Sequence, residues 1–289
     1  MIKNFIKRYK NQLDFFIENA LNEDIGTGDH TSLSCIDAQI KSSAELIVKE
    51  SGYLAGISIS KLIFEHYDPR LEIEIMIEDG NKIKKGDIAF KVHGSAVSIL
   101  ATERLVLNTI QRMSGITSFT KDLNKMIKHT PCKILDTRKT IPNFRYAEKL
   151  AVMIGGGTNH RMGLFDAILI KDNHVDYCGG MKNTLKKTEQ YLNKLGKKLD
   201  VVVECRNQTE IDSAVNFDYV DRILLDNYNP LELSEAVSFI DGRKATEASG
   251  RIKKKNIVEY AETGVDFVSI GELTNNVKSI DMSLKAIAI

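Results

Sequence analysis

Two short apolar runs in the middle of the chain each end in a burst of charge. CKIL (132–135) leads into Asp136-Thr137-Arg138-Lys139, and AILI (167–170) leads into Lys171-Asp172-Asn173-His174. Between them stand a glycine triplet, Gly155 to Gly157, and the cluster Asn159-His160-Arg161. Arg138, Arg161, Lys139, Lys171 and His160, gathered in these clusters, point to an anionic ligand. A guanidinium offers a fork of donors that suits carboxylate or phosphate. Lys139 and Lys171 suit phosphate as point charges, and either, if buried with a lowered pKa, could form a Schiff base. His160 could donate to an anion or act as acid or base. An ion pair with a neighbouring acid such as Asp136 could explain one arginine; it explains two less well, with two lysines beside them.

The rest of the composition makes these clusters stand out. The chain has 289 residues, 43% hydrophobic and 27% charged, with a formal net charge of +1. Length allows one large domain or two smaller ones. Near-neutral charge gives no global footprint for nucleic acid. The four cysteines, Cys35, Cys132, Cys178 and Cys205, are scattered and form no CxxC pair, which argues against zinc and for reduced thiols in the cytoplasm. The N-terminus is basic and amphipathic and does not read as a signal peptide. No stretch approaches the ~20 apolar residues of a membrane span.

Something must position the cations. The first third reads as mixed sheet and helix: a helix over about 9–22, strands over 43–50, 71–78 and 87–94, and a helix over 56–67 between them. From Ser95 to about His129 the spacing is helical, with Arg104 in ATERLVLNTIQRMSGI and Gly115 expected to interrupt it. After Pro131, apolar runs alternate with helical stretches: KIL (133–135), AILI (167–170), VVVE (201–204), RILL (222–225), KATEA (244–248) and DFVSI (266–270). Repeated strand then helix predicts parallel strands with crossover helices, in a barrel or a doubly wound sheet.

Every one of these runs ends in polar residues: Asp136 to Lys139, Lys171-Asp172, Glu204, Asp226-Asn227, Glu247 with Ser249-Gly250, and Ser269 with Gly271. In parallel α/β folds the carboxyl ends of the strands form one face, and ligands bind there. Strand-to-helix loops are polar in any case, so one such end means little; six in succession, cations first and carboxylates next, mean a site. Glu204 and Asp226 could hold magnesium together with phosphate oxygens, or could steady the positive charge of a sugar oxocarbenium. The small residues Ser249-Gly250 and Ser269-Ile270-Gly271 would let backbone N–H groups approach a phosphate.

This constellation resembles the quinolinate phosphoribosyltransferases, the decarboxylating nicotinate-nucleotide pyrophosphorylases of NAD synthesis. The resemblance runs through LNEDIGTGDHTS, ATERLVLNTIQRMSGI, the whole block DTRKTIPNFRYAEKLAVMIGGGTNHRMGLFDAILIKDNH, VVVEC, ILLDN, EASGRI and TGVDFVSIGELT. It implies an α/β fold: an N-terminal α/β sandwich with its linking helix (1–105, the chain's C-terminus able to pack back on it), then an open, incomplete parallel α/β barrel (106–289). It implies a homodimer, or a higher oligomer, with shared active sites and no nucleic-acid or membrane partner. Arg138, His160 and Arg161 would grip the two carboxylates of quinolinate, with Arg104 reaching in from the partner subunit and Thr137 beside them. Lys139 and Lys171 would bind the pyrophosphate of phosphoribosyl pyrophosphate. Glu204 and Asp226 would serve ribose and magnesium. Ser249, Gly250, Arg251, Ser269, Ile270 and Gly271 would seat the 5′-phosphate. Catalysis would fall to Lys139, Lys171, Glu204 and Asp226. Two places depart from the pattern: Arg251 stands where a second small residue is expected, and Asn275-Asn276 where His-Ser is usual. The rivals are a molybdenum-transport-associated relative of the same fold, nicotinate phosphoribosyltransferase, a Schiff-base sugar-phosphate lyase, and a sugar-phosphate-binding regulator.

Overall fold

A computed structural model of the chain describes residues 1–287. In chain order its elements begin with α1 (Ile2–Arg8), α2 (Lys10–Ile25), α3 (His30–Cys35), β1 (Lys41–Val48), β2 (Gly52–Tyr53), α4 (Ile57–Tyr67), β3 (Glu72–Ile75), β4 (Lys82–Ile83), β5 (Ile88–Ser95) and α5 (Ala96–Met126). There follow β6 (Lys133–Leu135), α6 (Arg145–Ile154), β7 (Ala167–Ile170), α7 (Asp172–Tyr177), α8 (Met181–Leu195), β8 (Asp200–Cys205), α9 (Gln208–Val215), β9 (Arg222–Asp226), α10 (Pro230–Ile240), β10 (Ala245–Ser249), α11 (Ile257–Ala261), β11 (Phe267–Ser269) and β12 (Met282–Ile287). These divide into two compact units. The first takes Met1–Lys121, Thr140–Gly156 and the chain's end from Leu273; the second takes Asp122–Lys139 and Gly157–Glu272.

The first unit is built on an antiparallel sheet in the order β12-β1-β5-β3. β1 alternates as a half-covered strand should, burying Ala44, Leu46 and Val48. Phe64 of α4 meets Phe90 of β5 edge-on, ring centroids 6.0 Å apart. The apolar alternation over 71–78 predicts a longer strand than forms. Pairing stops at Ile75, because the Met76 and Ile77 N–H groups both donate to the Ala89 carbonyl, which puts two residues opposite one. α5 runs unbroken through Gly115, so the expected interruption is absent. The glycine is there for space: a Cβ at 115 would collide with the Lys278 carbonyl. The boundary expected at 105/106 falls inside this helix, and the first unit keeps α5 as far as Lys121 and also takes α6.

The second unit holds a six-stranded parallel sheet in the order β6-β11-β10-β9-β8-β7. All six runs read from the sequence are strands. β6 and β7 are its two edges, so the sheet is open rather than a closed barrel. Strands covered on both faces read as continuous apolar runs, and Val201, Val202, Val203 and Cys205 in β8 are all buried. The short α7, directly after Lys171, is an element the sequence pattern does not signal; the His174 ring accepts the Lys171 N–H at 2.9 Å and sets the turn.

Candidate active site

The carboxyl ends of these parallel strands open into a cavity of about 510 Å³, wholly within the second unit. β6 and the residues after it supply Thr137, Arg138 and Lys139; the stretch before β7 supplies His160 and Arg161; β7 supplies Leu169, with Lys171 and Asp172 just beyond. β8 gives Glu204, β9 gives Leu224 and Asp226, β10 gives Glu247 and Ser249, and β11 gives Ser269. Register explains the layering. Glu204, Leu224 and Glu247 are paired across three strands, and Asp226 pairs with Ser249 two residues further along. Cations come from the two edge strands and acids from the middle ones.

The arginine-rich wall is built by a loop that two carboxylates, one of them buried, hold in shape. Asp136, fully buried, accepts the Asn159 side-chain amide at 2.6 Å and the His160 N–H at 2.8 Å. Asp166 accepts the Met162 and Gly163 N–H groups at 2.7 and 2.8 Å. Arg161 emerges between these anchors. Its Nη1 donates to the Ala167 carbonyl at 3.3 Å, while its Nε is buried with no hydrogen-bond partner among the described residues. A buried charged donor with nothing to bond is costly and points to a ligand acceptor. Burial, and then the Arg138 guanidinium nearby, push Arg161 below its ordinary pKa, with Asp166 pulling the other way.

His160 lines the cavity. Its Nδ1 accepts the Arg161 N–H at 2.7 Å, and its Nε2 lies 3.5 Å from Glu247 Oε2. Both ring nitrogens thus face protein groups. Glu247 is fully buried and also takes Arg222 Nη1 at 2.9 Å. Burial pushes its carboxyl up, but His160, Arg222 and Ser269 outweigh that and leave it below the ordinary value. Glu247 belongs among the site residues, yet the sequence reading notes it only as a strand end. The available signal was alternation: in a strand already assigned, it shares a face with Ser249.

On the opposite wall Glu204 is raised, first by burial and then by Asp226, with Lys171 partly relieving it. Two carboxylates whose repulsion is only partly relieved fit a hard cation. Among the described residues there is no cluster of three or more His, Cys, Asp or Glu suited to a metal, so other ligands would be substrate oxygens and water. At the rim, Gly250 and Arg251 both have positive φ, +90° and +55°. A Cβ on Gly250 would strike the Asn227 side-chain amide. The left-handed backbone at 251 explains why a small residue is the expected occupant. Gly271 clears space for Lys139, whose Cδ would lie 2.9 Å from an added Cβ. Gly250, Arg251, Ile270 and Gly271 do not line the cavity, and Arg104 belongs to the first unit. A larger hollow of about 860 Å³ shares Arg161 but is walled mainly by apolar groups such as Leu164, Phe165, Ile168 and Tyr191. It lacks the converging charges, so the smaller cavity is the candidate site.

Comparison with known proteins agrees with this geometry. The model for the quinolinate phosphoribosyl transferase C-terminal domain matches residues 116–285, and that for the N-terminal domain matches 29–114. A chloroplastic nicotinate-nucleotide pyrophosphorylase [carboxylating] of Arabidopsis thaliana is 42% identical over 284 residues, covering 93% of this chain and 81% of that protein. A probable nicotinate-nucleotide pyrophosphorylase of Bacillus subtilis is 38% identical, covering 94% and 93%. The solved nicotinate-nucleotide pyrophosphorylase of Francisella tularensis superposes with a TM-score of 0.87 at 39% identity, covering 96% of each chain. The chain belongs to the quinolinate phosphoribosyltransferase family.

Proposed function

We propose that the cavity transfers a phosphoribosyl group from phosphoribosyl pyrophosphate to the ring nitrogen of quinolinate, with loss of carbon dioxide. The products are nicotinate mononucleotide, carbon dioxide and pyrophosphate. The observation that carries this reading is the buried, unpartnered Nε of Arg161 beside Arg138, in a cavity that Glu204 and Asp226 also line.

Quinolinate is a dianion and phosphoribosyl pyrophosphate is more highly charged, so the two repel in water. Arg138 and Arg161 take the carboxylates, offset that repulsion and hold the nitrogen against the sugar. Lys139 and Lys171 stabilise charge developing on the departing pyrophosphate. Glu204 and Asp226 face the positive charge that builds on the ribose as the bond to pyrophosphate stretches. Magnesium held by these carboxylates and by phosphate oxygens would supply further neutralisation of the leaving group. Once the nitrogen is ribosylated, the pyridinium is an electron sink: the bond from ring C2 to its carboxylate breaks, carbon dioxide leaves, and the electron pair left on C2 takes a proton from water. Ser249 and Ser269, which line the cavity, would seat the 5′-phosphate, with Gly250, Arg251, Ile270 and Gly271 beside them in the chain.

Arg104, in the first unit, completes the site from a partner subunit in a cytoplasmic homodimer; the four free cysteines support a reducing compartment. No described helix is long and apolar enough to cross a membrane. Carbon dioxide release from carboxyl-labelled quinolinate should require phosphoribosyl pyrophosphate, and release without it, or none with it, would sink the reading. Mixing inactive Arg104→Ala with inactive Lys139→Ala chains should recover part of the activity, because some mixed dimers carry one intact site. No recovery despite demonstrated exchange would remove the shared-site proposal.

A further inference from the structure

A fully buried carboxylate is out of place among groups that collect anions, unless its charge is offset and its oxygens have other work. Glu247 meets both conditions. Its Oε2 takes Arg222 Nη1 at 2.9 Å and lies 3.5 Å from His160 Nε2. Arg222 is itself fixed, with its guanidinium 4.4 Å from the centre of the Phe267 ring. The Glu247–Arg222 pair is close to neutral, so the positive field of Arg138, Arg161, Lys139 and Lys171 is little diminished.

His160 passes the constraint on. Because Nδ1 accepts the Arg161 N–H at 2.7 Å, that nitrogen carries no proton. The ring proton therefore sits on Nε2, the nitrogen turned to Glu247. The backbone N–H of His160 is meanwhile held by Asp136 at 2.8 Å. Two hydrogen bonds and the charge contact with Glu247 thus set the His160–Arg161 peptide, and with it the direction in which the Arg161 guanidinium leaves the chain.

We propose that Glu247, backed by Arg222, is a positioning residue for the dicarboxylate half of the site: it orients His160, and through His160 it aims Arg161. This rests on the reading that Arg161 takes a carboxylate of quinolinate. The other Glu247 oxygen, Oε1, is buried with no hydrogen-bond partner among the described residues. That leaves one sharp competitor, a bond from a ribose hydroxyl, and the two roles move different constants.

The test uses the full-length chain carrying Glu247→Gln, which keeps the shape but replaces a charged acceptor by a neutral, weaker one. Quinolinate Kd should rise by about tenfold, while KM for phosphoribosyl pyrophosphate should change by less than about threefold. Glu247→Ala should weaken quinolinate binding further. In a His160→Ala background, Glu247→Gln should add little, since both changes cut one chain of contacts. A rise in KM for phosphoribosyl pyrophosphate with quinolinate Kd unchanged would overturn the proposal in favour of a ribose contact, and no change in either constant would overturn it outright. Arg161→Gln serves as the control: if it too leaves quinolinate binding intact, the reading of the site has failed rather than the role of Glu247. Should the Glu247 variants not fold, ¹⁵N imidazole spectra of the unaltered protein decide. They should show His160 protonated at Nε2 and bare at Nδ1; a proton on Nδ1 would contradict the proposal.

Discussion

Replacing Arg161 by glutamine should weaken quinolinate binding greatly while leaving the free protein at least as stable. Nη1 is already committed to the Ala167 carbonyl, and Nε is buried without a partner. A carboxylate can therefore gain about two charge-assisted bonds, one of them to a donor that water does not serve in the free state. At about 1.5–3 kcal/mol each, their loss amounts to roughly 3–6 kcal/mol. With about 1.4 kcal/mol per decade of affinity, Kd should rise by about two to four orders of magnitude. The free protein moves the other way. Burial and Arg138 both oppose the charged guanidinium of Arg161 and hold its pKa below the ordinary value, so a neutral glutamine relieves a cost. Calorimetric titration with quinolinate reads the first effect, and the melting temperature of the free protein reads the second. A loss of affinity below tenfold would refute the reasoning. So would a fall in Tm accompanying the lost affinity, because Arg161 would then be a structural residue.

Further outcomes follow from other groups. Glu204→Gln should abolish turnover yet raise the Tm of the free protein at neutral pH. The folded carboxyl is raised above its ordinary 4.5, so its ionisation costs stability above that pH, and the advantage of the variant should fade on acidifying toward 4.5. Asp68 behaves in the opposite sense: the Arg70 guanidinium, then the Ser98 hydroxyl, hold it near about 2 against an ordinary 3.8. Its contribution is fully present above 3.8 and is lost as pH falls toward 2, so Asp68→Asn should narrow the gap between neutral and acid denaturation midpoints. Gly115→Ala should destabilise by about 1–3 kcal/mol through overpacking, visible as a lower urea midpoint, because the new methyl meets the Lys278 carbonyl. An unchanged midpoint there would mean that the backbone yields without cost.

Much of the second unit was legible because parallel strands buried on both faces must be apolar throughout. β8 and β9 announce themselves, and polar residues at their ends then mark one face of the sheet. Antiparallel edges are harder: β3 alternates well past Ile75, but the pairing of Met76 and Ile77 with a single Ala89 carbonyl cannot be seen in the alternation. Gly115 illustrates a second limit. Its helix-breaking tendency is local, whereas its reason for being there is a carbonyl 163 positions away in the sequence, at Lys278. α6 is a third case. The pattern reads it as one more crossover helix, yet it belongs with the first unit, because membership is decided by which long-range contacts form and not by helical spacing.

The candidate site shows the same division. Charge bursts at strand ends point to Arg138, Lys139, Lys171, Glu204 and Asp226, and the cluster between two runs to Arg161; the structure gathers all six around one cavity. Residue type alone could not say which way His160 points; that depends on the Arg161 N–H and on Glu247, groups fixed only when the loop and β10 come together. Nor could it separate Gly271 as a contact for phosphate from Gly271 as space for Lys139. Steric clearance is a property of the folded neighbourhood.

The most direct test of the site is a crystal structure of the chain with quinolinate bound. A carboxylate oxygen should lie within hydrogen-bond distance of Arg161 Nε, inside the cavity that holds Arg138, Lys139, Glu204 and Asp226. Quinolinate lodged instead in the apolar hollow beside Leu164 and Tyr191, with Arg161 Nε still unbonded, would contradict the account.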